Sequence, residues 1–210
     1  MTKVIVREPR WPAFVAMLAA GCLYLALPEP LSLGPSWSLL VIMAFLMVPL
    51  AVSSHHGRYD ISRILAFTVN GIITAAMIGS LATLLYGIPR HTESPQALLR
   101  SAAALWFTNV LVFALWYWKL DAGGPLGREA APGKVDSSFL FPQMLAPHDE
   151  AHPWKPHFMD YLFLAFNTST AFSPTDTAAL SRWAKVGMMT QSLISLTIVA
   201  FLAARAVNIL

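Results

Sequence analysis

Charged residues are scarce in this chain of 210 residues: Asp, Glu, Lys and Arg make up 12% of it, against about 25% in an average soluble protein. Apolar residues reach 56%. The net charge of +3, scattered along the sequence, is too small to indicate a nucleic-acid-binding surface. The composition therefore favours a membrane protein of one domain, with the lipid bilayer and not nucleic acid as its surroundings.

Several kinds of chemical site are also missing from the sequence. The single cysteine, Cys22, excludes an internal disulfide framework. No glycine-rich phosphate loop, nucleophile–base pairing or paired-carboxylate pattern stands out, so we expect neither enzyme activity nor a cofactor. His148 and His152 lie four residues apart, but Pro147 and Pro153 bracket too short a segment for a helix. We therefore expect no metal site.

Four long apolar runs occupy the first part of the chain. A helix rises about 1.5 Å per residue and needs roughly 20 apolar residues to cross a bilayer. The runs cover residues 11–27, 37–52, 64–86 and 95–118, and we predict a four-helix transmembrane region over residues 1–120. The basic start and the segment before Cys22 also resemble a lipoprotein signal, but the apolar run continues beyond Cys22, which favours an uncleaved first span.

A stripe of small residues marks the third run. Gly71, Ala75 and Gly79 are four residues apart and so share one face of a helix. In lipid, small residues at this spacing allow another helix to approach closely. We expect helix packing on this face, with Asn70 hydrogen-bonded across the interface.

Residues 121–156 form a long polar loop. Repeated glycines and prolines exclude a long regular element within it. The apolar segment from Phe139 to Pro142 interrupts the loop, and we expect this segment to fold back onto the helix ends or the membrane surface.

The last part of the chain, residues 157–210, has a different pattern. A short apolar stretch over residues 157–172 is followed by a polar turn at 173–177 and a long apolar run from about Trp183. Irregular backbone at membrane depth persists only where protein buries it or where it lines a wet cavity. We therefore predict an all-α integral membrane protein in which a short re-entrant helix, or a short fifth span, precedes a long final transmembrane helix.

The sequence from Asn167 to Asp176, N-T-S-T-A-F-S-P-T-D, resembles the pore signature of tetrameric potassium channels, roughly V-T-L-T-T-V-G-Y-G-D. Residues 160–166 resemble the pore helix and residues 180–207 the inner helix of small bacterial channels. Uncharacterised bacterial membrane proteins share this degenerate pattern. The resemblance implies a channel-like or transport-like homo-oligomer, a tetramer if it conducts, in the bacterial inner membrane. It implies a polar pore site made of Thr168, Ser169, Thr170, Phe172, Ser173, Pro174, Thr175 and Asp176.

The filter positions depart from that family. A potassium filter replaces the ion's water with stacked backbone carbonyls, and its glycines supply backbone angles that other residues disfavour. Here V-G-Y-G is replaced by F-S-P-T at residues 172–175. The leading hypothesis is thus a channel-like or transport-like protein without a potassium filter. The alternative is a non-conducting structural or partner-binding membrane protein whose pore fold is packed shut.

Other polar residues are expected to support this segment: Asn109, Asn167, Arg182 and Gln191. Asn109 would either contact the pore segment or form an ordinary interhelical hydrogen bond. Asp176 would either cap the last helix or mark an ion path. Arg182 would pair with Asp176 if the chain turns back, or else contact a phospholipid head group.

The distribution of cations predicts the orientation. Lysines and arginines concentrate before residue 11, in 53–63 and in 119–155, whereas the opposite side holds Arg90 and Arg100. This bias places the N-terminus and the long loop in the cytoplasm. A potassium-channel pore loop enters from outside. Either this segment inserts upside down, or residues 157–172 cross the membrane and place the polar turn outside.

Overall fold

The computed structural model describes residues 8–32, 34–56, 58–86, 95–130, 137–146, 154–170 and 176–207. Within these ranges the chain is mostly helical, as the sequence predicts, and every predicted apolar segment contains a helix. The helices are α1 (Trp11–Leu25), α2 (Ser38–His55), α3 (Tyr59–Tyr86), α4 (Pro95–Leu120), α5 (Gly124–Ala130), α6 (Phe158–Thr170) and α7 (Arg182–Val207), and two short strands are β1 (Phe139–Leu140) and β2 (Ala178–Ala179).

The first four helices alternate in direction. Arg10, just before α1, donates a hydrogen bond to Ser54 near the end of α2 (3.0 Å). Lys119, near the end of α4, donates to the carbonyl of Ala66 in the first half of α3. Helices α1 and α3 begin at one end of the bundle, and α2 and α4 terminate there. We call this the Asp121 end.

Helix α4 lies at the centre of the bundle and packs against α1, α3, α6 and α7. A helix with neighbours on several sides must be apolar around most of its circumference. Accordingly, α4 buries side chains that point in several directions, among them Ala102, Leu105, Val112 and Leu115.

Among the residues that the structure describes, three helical segments are long and apolar enough to span a membrane: Asp60–Tyr86, Gln96–Glu129 and Arg182–Ala204. Helices α1 and α2 are also apolar but shorter, with 15 and 18 residues. Apolar side chains such as Phe45 and Val48 in α2 are exposed on the outer surface. The fold is thus a helical bundle with an apolar exterior.

The loop after α4 packs onto the Asp121 end. Phe139 and Phe141 are buried, and the ring of Phe139 contacts those of Tyr117, Tyr161 and Trp183. This confirms that the apolar part of the loop folds back onto the helix ends. Within the described residues, the longest regular element in the loop is the seven-residue α5, which agrees with the high glycine and proline content.

Two of the three residues in the small-residue stripe of α3 make no close helix contact within the described part of the chain. Ala75 is exposed, and a Cβ atom added to Gly71 would meet nothing within 4 Å. Close packing of another helix on this face stays a prediction. The expected hydrogen bond of Asn70 is wrong: its side chain is buried, and neither amide atom has a partner among the described residues.

Candidate functional site

Helices α6 and α7 begin at the same end of the bundle. Tyr161 lies in the first turn of α6 and Trp183 in the first turn of α7. Both rings contact Phe139 of β1, with centroid distances of 6.3 and 5.6 Å. The ring of Tyr117, near the end of α4, lies 5.1 Å from the same phenylalanine. The two helices therefore both start at the Asp121 end.

From this common start, α6 and α7 run in the same direction. The side-chain amide nitrogen of Gln191 donates to the carbonyl of Ala165 (2.6 Å) and to the hydroxyl of Ser169 (2.7 Å). The hydroxyl of Ser192 donates to the carbonyl of Thr168 (3.1 Å). Successive positions along α6, from Tyr161 to Ser169, thus lie beside successive positions along α7, from Trp183 to Ser192. The two helices are parallel neighbours.

Helix α6 ends inside the bundle. It has 13 residues and is therefore roughly 20 Å long, whereas α7 has 26 residues. The last turn of α6 reaches only the level of Gln191, the tenth residue of α7. Helix α6 is thus a half-length helix beside a full-length one.

The chain then returns to the Asp121 end before α7 begins. Strand β2 pairs antiparallel with β1, with Phe139 opposite Ala179 and Leu140 opposite Ala178. The amide of Leu180 donates to the carbonyl of Ser138 (2.8 Å). The segment from α6 to β2 therefore enters and leaves the bundle at one end.

Gln191 is the centre of a buried polar network between α4, α6 and α7. Its side chain is fully buried, and its amide oxygen accepts a hydrogen bond from the Tyr117 hydroxyl (2.7 Å). Asn109 of α4 donates to the carbonyl of Gln191 (3.1 Å) and to the hydroxyl of Ser195 (2.8 Å). Since burying an unbonded amide is costly, this network fixes where the last turn of α6 can lie.

A second buried network, centred on Asp121, fixes the beginning of α6. The Asp121 carboxylate is fully buried and accepts hydrogen bonds from the Tyr161 hydroxyl (2.6 Å), the Ser137 hydroxyl (2.9 Å) and the Ser138 amide (2.5 Å). These bonds join the end of α4, the start of β1 and the first turn of α6.

Arg128 of α5 extends the Asp121 network to the N-terminal segment. Its guanidinium group forms a buried ion pair with Glu8 (3.0 Å) and donates to the carbonyls of Trp118 and Asp121 (3.1 and 2.9 Å). It also lies over the ring of Tyr161, 5.2 Å from the centroid. A buried ion pair is stable only where further hydrogen bonds satisfy both charges, as they do here.

The structure brings part of the predicted pore site together. Thr168 and Ser169 are buried at the end of α6, and Thr170 donates to the carbonyl of Asn167 (2.9 Å). Asp176 is exposed in the returning segment. Phe172, Ser173, Pro174 and Thr175 lie outside the described residues, as do His148 and His152. Among the described residues, no cluster of histidine, cysteine, aspartate or glutamate could hold a metal ion.

The structure places the predicted supporting residues in different environments. Among the described residues, Asn109 donates its hydrogen bonds to α7, and the side chain of Gln191 in turn bonds to α6. Arg182 is exposed at the start of α7. Asp176 and Arg182 form no ion pair with each other, so that predicted salt bridge is wrong.

The prediction that Asp176 caps the last helix is also wrong. Helix α7 begins at Arg182, and the hydroxyl of Ser181 accepts a hydrogen bond from the amide of Ala184 (3.3 Å). An N-cap side chain bonds to the amide two or three residues further on, so the capping residue is Ser181. Asp176 lies too far before the helix because β2 separates the two.

Sequence reasoning missed the Asp121 network, which holds the beginning of α6 in place. Asp121, Arg128 and Tyr161 belong to different segments and share no spacing pattern, so only the fold brings them together. The sequence did indicate a role for Gln191, because a polar residue within a long apolar helix normally requires a buried partner.

Comparison with protein-family models, with curated proteins and with solved structures finds no match for this chain.

Proposed function

We propose that this chain is a multi-pass membrane protein with a channel-like or transport-like activity, built around a re-entrant segment and lacking a potassium filter. One observation carries the proposal. Helices α6 and α7 start at the same end and run in parallel, and the chain between them returns to that end. In a bilayer, a half-length helix and its return strand need protein or water around their irregular backbone, which a pore or a substrate cavity provides.

The proposed orientation places the Asp121 end in the cytoplasm. Positive charge is retained on the cytoplasmic side of membrane proteins. Among the described residues, Arg100, where α4 begins, and Arg205, in the last turn of α7, lie toward the opposite end. The Asp121 end holds Arg10, Arg58, Arg63, Lys119, Arg128, Lys155, Arg182 and Lys185. The re-entrant segment would then enter from the cytoplasm, inverted relative to the potassium channels that it resembles.

The exposed side of α7 supports assembly into a homo-oligomer. Val186, Met189, Leu193 and Leu196 are each more than 60% exposed. Their spacing of three, four and three residues matches the a and d positions of a coiled-coil seam. We propose that copies of α7 face one another, as inner helices do around a pore.

A specific observation favours the second candidate function, a non-conducting structural or partner-binding protein. The Thr168 hydroxyl donates to the carbonyl of Leu164 (2.8 Å), and the Ser169 hydroxyl accepts from Gln191. These groups are therefore already engaged within the chain and offer less to a passing ion. A pore fold that is packed shut would show this arrangement.

Ion flux into liposomes separates the two candidates. We expect purified protein to move potassium, sodium, protons or small anions faster than empty liposomes do. Replacing Asp176 with lysine should lower the ratio of cation to anion flux by about fivefold, because reversing an exposed charge near the path changes the local interaction by about 1 kcal/mol.

The matched control is Asp60→Lys, which reverses an exposed charge in the first turn of α3, outside the re-entrant segment. This variant should leave the ratio unchanged. Flux no greater than in empty liposomes for all of these ions would reject the channel-like function and leave the non-conducting one.

A further inference from the structure

A small pocket lined by basic side chains opens at the Asp121 end, between α3, the end of α4 and the start of α5. Its volume is about 80 Å³. This space admits a small group and is too narrow for another helix. Its polar lining comes from Arg10, Ser62, Arg63 and Lys119, together with the backbone of Gly123 and Gly124.

Lys119 is the unusual member of this lining. Its side chain is only 6% exposed, and its ammonium group donates to the carbonyl of Ala66. None of the described acidic residues lies within ion-pairing distance of it. A buried charge without a counter-charge is strongly unfavourable. An anion in the pocket would supply the missing counter-charge.

The other two cations strengthen the positive field of the pocket. Arg63 is exposed and lies over the ring of Phe67, 5.8 Å from the centroid. The guanidinium group of Arg10 donates a hydrogen bond to the Ser54 hydroxyl (3.0 Å) and forms a long ion pair with the Glu129 carboxylate (3.6 Å). Among the described residues that line the pocket, three are cationic and none is acidic, and of these three cations Arg10 alone forms an ion pair. The lining therefore carries an excess of positive charge.

The chain turns sharply where it lines the pocket. Ala122, Gly123 and Gly124 all have positive φ angles, of 55°, 75° and 78°. A Cβ atom at Gly124 would lie 2.8 Å from the carbonyl oxygen of Lys119, a distance that real Cβ atoms do not tolerate. Glycine at this position therefore lets the chain turn close to the backbone of Lys119, directly after α4.

We propose that this pocket binds a phosphate-bearing anionic headgroup, with Lys119 and Arg63 as its principal cationic contacts. Basic pockets between membrane helices on the cytoplasmic side are suited to anionic lipid headgroups. The lining also includes the apolar side chains of Phe67, Trp118 and Leu126, which suit the glycerol and upper acyl part of a lipid. A soluble phosphate offers the same charge without that apolar part.

Lipid titration of the protein in an uncharged detergent tests the proposal, with mass spectrometry counting the bound molecules. The titrants are short-chain phosphatidylglycerol, short-chain phosphatidylcholine and inorganic phosphate. We expect tighter binding of phosphatidylglycerol than of phosphatidylcholine. Arg63→Gln should weaken the binding of phosphatidylglycerol by about fivefold, and Lys119→Gln combined with Arg63→Gln by about 25-fold, from the typical contribution of one cation near a lipid surface.

Arg100→Gln is the control, because Arg100 is an exposed cation at the opposite end of α4, and it should bind phosphatidylglycerol like the wild type. Arg63 is exposed, so Arg63→Gln keeps the test valid even if the double variant fails to fold. Inorganic phosphate that competes with the lipid supports the site and shows that phosphate alone is recognised; binding of lipid without such competition supports a lipid headgroup. Equal affinities for the two lipids, or equal losses for Arg63→Gln and Arg100→Gln, would overturn the proposal.

Discussion

Replacing Gln191 with leucine is expected to lower the free energy of unfolding by about 3 kcal/mol, since each buried polar group left without a partner costs about 1–3 kcal/mol. The variant keeps a side chain of similar size but removes both ends of the amide. The Tyr117 hydroxyl then loses its acceptor, and the Ser169 hydroxyl loses its donor. The last turn of α6 would be released from α7. Equilibrium unfolding in mixed detergent micelles measures the change.

Two further variants calibrate this result. Tyr117→Phe removes only one hydrogen bond of the network and should cost about 1 kcal/mol. Thr197→Val lies in the same helix, and the hydroxyl that it removes bonds within that helix, to the carbonyl of Leu193 (2.8 Å); it should change stability by less than about 0.5 kcal/mol. If Gln191→Leu were as stable as Thr197→Val, the polar network would not hold α6.

Replacing Asp121 with alanine is expected to have the largest effect, a loss of about 4 kcal/mol, because removing one partner of a buried charged network typically costs 3–5 kcal/mol. The Tyr161 hydroxyl and the Ser138 amide would lose their acceptor, whereas the Ser137 hydroxyl would keep the carbonyl of Phe139 as its acceptor (2.8 Å). The pairing of β1 with β2 should weaken as well, because Ser138 directly precedes β1. Thermal unfolding in detergent, followed by circular dichroism, checks the loss.

Asp121→Asn and Asp60→Asn complete this test. Asn keeps one acceptor oxygen, so Asp121→Asn should recover part of the stability that alanine loses. Asp60 is exposed in the first turn of α3, and neutralising it should leave the melting temperature nearly unchanged. Equal melting temperatures for Asp121→Ala and the wild type would show that the buried carboxylate does not organise this end of the bundle.

The helices themselves could be predicted from the sequence, because the lengths of the apolar runs determine them. The short length of α6 could also be predicted from the sequence, because the polar residues Asn167 to Thr170 follow too few apolar residues for a full span. The sequence did not predict whether the chain after α6 returns to the end where α6 begins or crosses to the other side. That depends on the pairing of Leu140 with Ala178, and a two-residue strand has no alternation pattern to read.

Contacts between distant segments were the other limit. Asp176 and Ser181 are both good capping residues, and only the position where α7 begins decides between them. Asp121 follows an aromatic run at residues 116–118 and precedes two glycines, a context typical of an exposed turn, yet it is fully buried. Tyr161, 40 residues further along the chain, provides the bond that makes this burial stable.

The central claim is that the chain enters and leaves the membrane on one side around α6, and side-specific cysteine labelling tests it most directly. Single cysteines at Gln143, before α6, and at Leu180, after it, are both exposed positions and would be introduced with Cys22 replaced by serine. A cysteine at Gln96, exposed at the opposite end of α4, marks the other side. A membrane-impermeant maleimide, applied to sealed vesicles of known orientation, should label Gln143→Cys and Leu180→Cys from the same side and Gln96→Cys from the opposite side. Labelling of Gln143→Cys and Leu180→Cys from opposite sides would contradict the re-entrant architecture.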